Sequence, residues 1–88
     1  MNAVTKDSSR YVETAVEDET LLMALDSGEF FSLRETARAA WDKIDGTRDR
    51  DSLVAALAAE YGVPADSIAP DIDAFLAELS GAGLLRAD

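Results

Sequence analysis

The hydrophobic pattern of the chain changes its period once, close to Leu33, and this change limits the folds open to it. Before that residue, two β-prone runs at residues 20–25 and 29–33 flank an Asp-Ser-Gly turn at residues 26–28. Such a turn between two such runs indicates a β-hairpin, with Gly28 in the left-handed conformation. After it, apolar residues recur every three or four positions, which is typical of helices that bury one face. The sequence therefore predicts strands first and helices second.

A further strand is predicted at residues 11–16, ahead of the hairpin. We expect a flexible tail at residues 1–9 and one folded domain at residues 10–86. The predicted fold class is α+β, with a three-stranded antiparallel sheet followed by three helices, similar to a winged helix-turn-helix. In the third strand, the alternation of side chains places Phe31 and Leu33 on one face and Phe30 and Ser32 on the other.

Three helices are predicted from their apolar faces and end signals. The first opens at a capping box, Ser32-x-x-Glu35, and the second is capped by Asp49 and ended by Gly62. In the third, Pro70 indicates either a short turn at residues 65–69 before the main helix or a kink. The predicted buried face of the first helix is Leu33, Ala37, Trp41 and Ile44, and that of the second is Leu53, Val54, Leu57, Ala58 and Tyr61. The predicted buried face of the third helix is Ile68, Ile72, Phe75, Leu76 and Leu79. Gly81 and Gly83 are expected to end the third helix, and Leu84 is expected to fold back on its last turn.

The composition of the 88 residues excludes several kinds of site. There is no cysteine and no histidine, so disulfides, thiolate metal sites and the commonest general base are excluded. So short a chain also buries too little surface for a large enclosed active site, which argues against an enzyme. No apolar run approaches the roughly 20 residues of a membrane span, and no secretion signal opens the chain. We therefore expect a cytoplasmic binding protein without a cofactor or metal.

Eight Lys and Arg face eighteen Asp and Glu, a net charge of −10. The third predicted helix carries Asp66, Asp71, Asp73 and Glu78 and no cation, which disfavours DNA recognition. An acidic surface repels phosphates and lipid headgroups and attracts basic peptides, although it also serves simply to keep a small protein soluble. The acidic run at residues 45–51 lacks the ligand spacing of a calcium loop and contains two arginines.

One alternative function is that of an acyl or peptidyl carrier protein. Asp51-Ser52-Leu53 resembles the Asp-Ser-Leu site at which carriers hold phosphopantetheine, with Ser52 as the attachment point. Arg50 before the motif and strands in the first half of the chain depart from that family. The structural interpretation of Ser52 is an ordinary residue in the first turn of a helix capped by Asp49.

The strand at residues 29–33 follows a hairpin turn and precedes a helix, so we expect it at an edge of the sheet. The unpaired N–H and C=O groups of an edge strand accept a strand from another chain, and nearby apolar pockets then select its side chains. The competing interpretation makes ordinary core residues of Phe30, Phe31, Ile72, Phe75 and Leu79. We favour it for Phe31 and Phe75, whereas Phe30, on the opposite face, is expected to be exposed.

The order of motifs from about residue 11 to residue 85 resembles the PqqD-like family, the RiPP recognition elements. The resemblance begins with the stretch at residues 26–33 (Asp, x, Gly, x, two aromatic residues, x, Leu), and further motifs succeed it in the family's order without a gap. These later motifs are Glu35-Thr36-Ala37, Trp41, Asp45-Gly46, residues 53–57, Tyr61-Gly62-Val63, residues 71–76 and Gly83-Leu84-Leu85.

Family members bind the leader segment of a ribosomally made precursor peptide and deliver it to modifying enzymes, including those of lasso peptide pathways. The resemblance therefore implies a non-catalytic protein that adds the leader as a further strand to the edge of its third strand, beside the third helix. It also implies a partner enzyme, such as a leader peptidase or a radical-SAM enzyme, and leaves open a homodimer through the same edge. The site residues implied are Glu29, Phe30, Phe31, Ser32 and Leu33 on the strand, and Asp71, Ile72, Phe75, Leu76 and Leu79 on the helix.

Overall fold

The computed structural model describes residues 3–86, and its elements follow the predicted order. The sheet has the strand order β1-β2-β3 with both pairs antiparallel, so β2 is central. The predicted α+β class, a three-stranded antiparallel sheet followed by three helices, is confirmed. The elements are β1 (Tyr11–Val16), β2 (Glu19–Ala24), β3 (Phe30–Leu33), α1 (Glu35–Lys43), α2 (Arg50–Tyr61) and α3 (Ala65–Gly81).

One face of the sheet packs on the helices, and the alternation along β3 decides which side chains are buried. Phe31 and Leu33 lie in the core, whereas Phe30 is 70% exposed and Ser32 is also exposed, as predicted. The only tryptophan, Trp41 of α1, is fully buried at the centre. The core consists of Leu22, Ala24, Phe31, Leu33, Ala40, Trp41, Ile44, Leu53, Val54, Leu57, Ile72, Leu79 and Leu84.

The β2–β3 hairpin forms around the predicted turn. Gly28 has a φ of 73°, and its N–H donates to the Ala24 carbonyl at 2.8 Å. Both strands differ from the prediction by one residue. Leu25 lies outside β2 and is half exposed, and β3 begins at Phe30 rather than at Glu29.

The predicted capping box at the start of α1 is wrong. Ser32 still belongs to β3, and its hydroxyl donates to the Glu19 carboxylate on the neighbouring strand. The N-cap position is taken by Arg34, whose guanidinium has only donors and therefore caps no helix N–H. Leu33 likewise belongs to β3 and not to the helical stripe. Burial of Trp41 against the sheet, rather than a local cap, therefore stabilises α1.

The predicted ends of α2 are confirmed. Asp49 Oδ1 accepts a hydrogen bond from the Ser52 N–H at 2.8 Å, and Gly62 ends the helix with a φ of 65°. Tyr61, however, is 44% exposed and does not belong to the buried face. Ser52 lies in the first turn of this helix, and strands occupy the first half of the chain, where a carrier protein requires a long helix.

A single helix, α3, runs through Pro70, so the predicted separate turn at residues 65–69 is not formed. Proline at the sixth helical position removes only one hydrogen bond, close to the helix start. At the other end, Gly83 has a φ of 78°, and the Leu84 N–H donates to the Leu79 carbonyl at 3.0 Å. This is a Schellman ending, and it buries Leu84 as predicted.

The flexible tail predicted at residues 1–9 differs from the structure of residues 3–9, while residues 1 and 2 lie outside the described part. Lys6 forms a β-bridge with Leu85. The Asp7 N–H donates to the Leu84 carbonyl at 2.9 Å, and the Arg86 N–H donates to the Thr5 carbonyl at 2.8 Å. The start of the chain is therefore paired with the segment that follows α3.

Candidate functional site

The outer edge of β3 presents backbone hydrogen-bonding groups. A hydrogen bond from the Ala24 N–H to the Glu29 carbonyl, 2.9 Å long, sets the alternation between β2 and β3. Since antiparallel strands exchange hydrogen bonds at every second residue, Phe31 bonds to β2, whereas Phe30 and Ser32 direct their N–H and C=O groups to the opposite side. The structure thus offers two donors and two acceptors at this edge.

A cavity of about 280 Å³ lies beside this edge, between β3 and α3. Phe31, Phe75 and Leu79 supply apolar lining to this cavity. The cavity is lined by Phe30, Phe31, Ser32, Leu33, Ala37, Phe75, Glu78 and Leu79.

A second cavity, of about 180 Å³, continues between α1 and α3. It shares Ala37 and Phe75 with the first cavity, and we call the two together the cleft. Its other lining residues are Thr36, Ala40, Ile68, Asp71 and Ile72.

The structure brings eight of the ten predicted site residues to the cleft. Of the other two, Glu29 lies at the hairpin end, where a further depression contains it together with Asp26 and residues 80–83. Leu76 packs against the core and is not among the residues that line the cleft. The eight in the cleft are Phe30, Phe31, Ser32, Leu33, Asp71, Ile72, Phe75 and Leu79.

Five residues that line the cleft were not predicted as site residues from the sequence: Thr36, Ala37, Ala40, Ile68 and Glu78. Glu78 follows Asp71 and Phe75 at helical spacings of seven and three, so the periodicity of the third helix held a signal for it. Ala37 was predicted as core, and it reaches the cleft only because α1 crosses beside β3. No local sequence pattern predicts where α1 crosses β3.

The charges that line the cleft are negative. Asp71 and Glu78 are both exposed, and within residues 3–86 neither forms an ion pair. No Lys or Arg lines the cleft, and Arg34, which follows β3 directly, is held by Glu19 at 2.7 Å. Hydrogen bonds from the Ser32 hydroxyl and the Arg34 guanidinium lower the pKa of the Glu19 carboxyl, so it stays ionised. A peptide entering the cleft therefore meets uncompensated carboxylates.

Residues 3–86 contain no grouping of three or more side chains suited to holding a metal ion. The cleft offers carboxylate acceptors, apolar walls and open backbone groups, which suit the binding of an extended chain. Within the same residues, no helix has the length and apolar content needed to cross a membrane.

Comparisons with known proteins indicate the family and the fold of the chain. The family model described as Coenzyme PQQ synthesis protein D (PqqD) matches residues 19–85, and the chain therefore belongs to the PqqD family. The fold is similar to that of a solved structure described as TbiB1 in complex with the TbiA(beta) leader peptide, with a TM-score of 0.79 and 29% sequence identity. That match covers 96% of this chain and 100% of the other. A sequence search of curated proteins finds no significant match.

Proposed function

We propose that this protein binds the leader segment of a ribosomally synthesised precursor peptide as a fourth strand on β3. The observation that carries the proposal is the open backbone edge at Phe30 and Ser32, which lies directly beside an apolar cleft. A similar protein has been solved in complex with a leader peptide, which supports the same activity for this chain. In β-addition, main-chain hydrogen bonds supply affinity and the pockets select alternate side chains.

The length of β3 and the lining of the cleft limit which leader segments can bind. β3 is four residues long, so the paired part of the leader is also about four residues. Those leader residues that face the helices enter the cleft against Phe31, Phe75 and Leu79, and apolar side chains fit there. Asp71 and Glu78 at its rim favour a leader that also carries Lys or Arg.

The protein acts without catalysis in this proposal. Holding the leader raises the effective concentration of the rest of the precursor at a modifying enzyme, for instance a leader peptidase or a radical-SAM enzyme. In this proposal the residues that bind the peptide lie within residues 10–86, binding takes place in the cytoplasm, and the product is a RiPP, for example a lasso peptide. No cofactor takes part.

A calorimetric titration tests the proposal, with a synthetic peptide that has the leader sequence of the precursor encoded next to the gene. We expect the Phe75→Ala variant to bind about tenfold more weakly, because it removes an anchor from the cleft wall. Tyr61→Ala is the matched control, since Tyr61 is an exposed aromatic residue outside the cleft. Equal affinity of both variants and the native protein would contradict the site.

A leader variant with proline at a paired position tests the strand geometry separately. Proline has no N–H to donate, so it weakens binding if the leader forms a strand on β3. Unchanged affinity at every position of a proline scan would show that the leader binds in another way.

A further inference from the structure

The face of the sheet that points away from the helices carries an apolar row across all three strands. The strand register pairs Val12 with Met23 and Met23 with Phe30. Val12 is 48% exposed, Phe30 is 70% exposed and Met23 is half-buried. A shallow cavity of about 240 Å³ runs along the row, lined by Val12, Thr14, Leu21, Leu22, Met23 and Phe30.

This row ends at the open edge of the sheet. Phe30 is its last member, and the backbone groups of Phe30 are those that point to the open side of β3. A strand that pairs with β3 therefore places one residue directly opposite Phe30. Because paired residues direct their side chains to the same face, that residue extends the row outward, away from the cleft.

We propose that the leader is read on both faces of the sheet, with an apolar leader side chain opposite Phe30 that continues the row formed by Val12, Met23 and Phe30. The inference rests on the proposed function. The neighbouring leader residue lies opposite Phe31 and points into the cleft. The recognised segment therefore has apolar side chains at two consecutive positions, one for each face.

The kind of leader side chain that fits opposite Phe30 depends on the strand register and on the apolar character of the row. Side chains opposite one another in paired strands lie about 4.5–5.5 Å apart between Cβ atoms, and an aromatic residue pairs well with an aromatic or β-branched partner. The next outward leader position lies opposite Ser32, whose hydroxyl is bound to the Glu19 carboxylate beside Arg34. A polar residue fits there, so the apolar preference is confined to one outward position.

A double-mutant cycle tests the inference. First, nuclear Overhauser effects between the leader and β3 identify the leader residue opposite Phe30. That residue is then changed to Ser, in combination with Phe30→Ser in the protein. We expect each single change to raise the Kd about fivefold and the double change to raise it little further, because both remove the same contact.

Val16→Ser is the control for a general loss of outer apolar surface. Val16 is 47% exposed on the same face, but it pairs with Glu19 outside the row, so its change leaves the Kd unaltered. Independent, additive effects, or native affinity of the leader variant, would overturn the inference while leader binding itself stands. If the proposed function itself were wrong, neither the native leader nor its variant would bind.

Sedimentation tests whether the row instead binds a second copy of the chain. Self-association that Phe30→Ser abolishes would assign the row to a dimer contact and overturn the inference.

Discussion

At the scale of single residues, Glu17 holds an unfavourable backbone conformation. It lies in the two-residue turn between β1 and β2 and has a φ of 56°, in the left-handed region that glycine adopts without cost. We expect Glu17→Gly to raise the free energy of unfolding by about 1 kcal/mol. Urea unfolding followed by Trp41 fluorescence measures it. Asp18→Gly, at the neighbouring turn residue without a positive φ, should bring no gain, and an equal gain from both would contradict the explanation.

Asp73 makes the stability depend on pH. Arg50 Nε and Nη2 each donate to its carboxylate at 2.7 Å, joining α2 to α3 and lowering the pKa of Asp73. A carboxyl with a lowered folded-state pKa stabilises the fold above its ordinary pKa of about 4, and this contribution is lost as the pH falls through the lowered value. We expect Asp73→Asn to reduce stability slightly at pH 7 and to bring the variant closer to the native protein at pH 2–3. A constant difference across that range, measured by urea unfolding, would contradict the assignment.

Residue-scale features could be predicted from the sequence where their cause is local. The Asp49 cap and the left-handed Gly28 and Gly62 depend only on neighbouring residues, and the structure confirms them. The capping box failed for the opposite reason. The Ser32 hydroxyl bonds to Glu19, thirteen positions earlier, and only the pairing of β2 with β3 brings the two together.

At the scale of elements, the first described residues act as part of the fold. The Lys6 ammonium lies 4.1 Å from the centre of the Trp41 ring, and burial lowers the pKa of Lys6. Val4 packs against the core. We expect deletion of residues 1–7 to lower the free energy of unfolding by about 2 kcal/mol, through lost backbone hydrogen bonds and apolar contact. Lys6→Gln, which removes only the charge over the ring, should cost less.

An unchanged urea midpoint after the deletion would instead support the flexible tail that the sequence indicates. The sequence showed only a polar stretch there, because the pairing of Lys6 with Leu85 depends on where the chain lies after α3.

The order of strands and helices was predictable, since it is set by the period of the apolar residues. The packing of α1 beside α3, which brings Ala37 and Phe75 to the same cleft, could not be predicted, because no local sequence pattern specifies the angle between packed helices.

At the scale of the whole molecule, the net charge of −10 attracts a basic ligand, and the carboxylates that line the cleft are the ones closest to where it binds. If the leader carries basic residues, its Kd should rise with ionic strength, because salt screens exposed charges over about 10 Å at 0.1 M. We expect Glu78→Gln to raise the Kd two- to fivefold at low salt and to have little effect at about 0.5 M. Glu60→Gln, in an α2 carboxylate already held by Lys43 at 2.7 Å, is the control. Equal effects of the two substitutions would assign attraction to overall charge alone.

Composition could give the sign of that charge and exclude most catalytic sites, but it could not place the carboxylates. Only the position of α3, which packs on α1 and α2 and faces β3 across the cleft, brings Glu78 near the edge where Phe30 and Ser32 present their backbone groups. The resemblance to the PqqD family supplied the expectation that this edge binds a peptide, and the open hydrogen-bonding groups give that expectation a physical basis.

The most direct test of leader capture on β3 is an NMR titration of isotope-labelled protein with the synthetic leader. We expect chemical-shift changes concentrated at residues 29–33 and along α3 from Asp71 to Leu79. We also expect slower hydrogen exchange at the Phe30 and Ser32 amides, which become paired with the leader. Binding with shifts confined to other surfaces, such as β1 or α2, and no added protection at these two amides would contradict leader capture on β3.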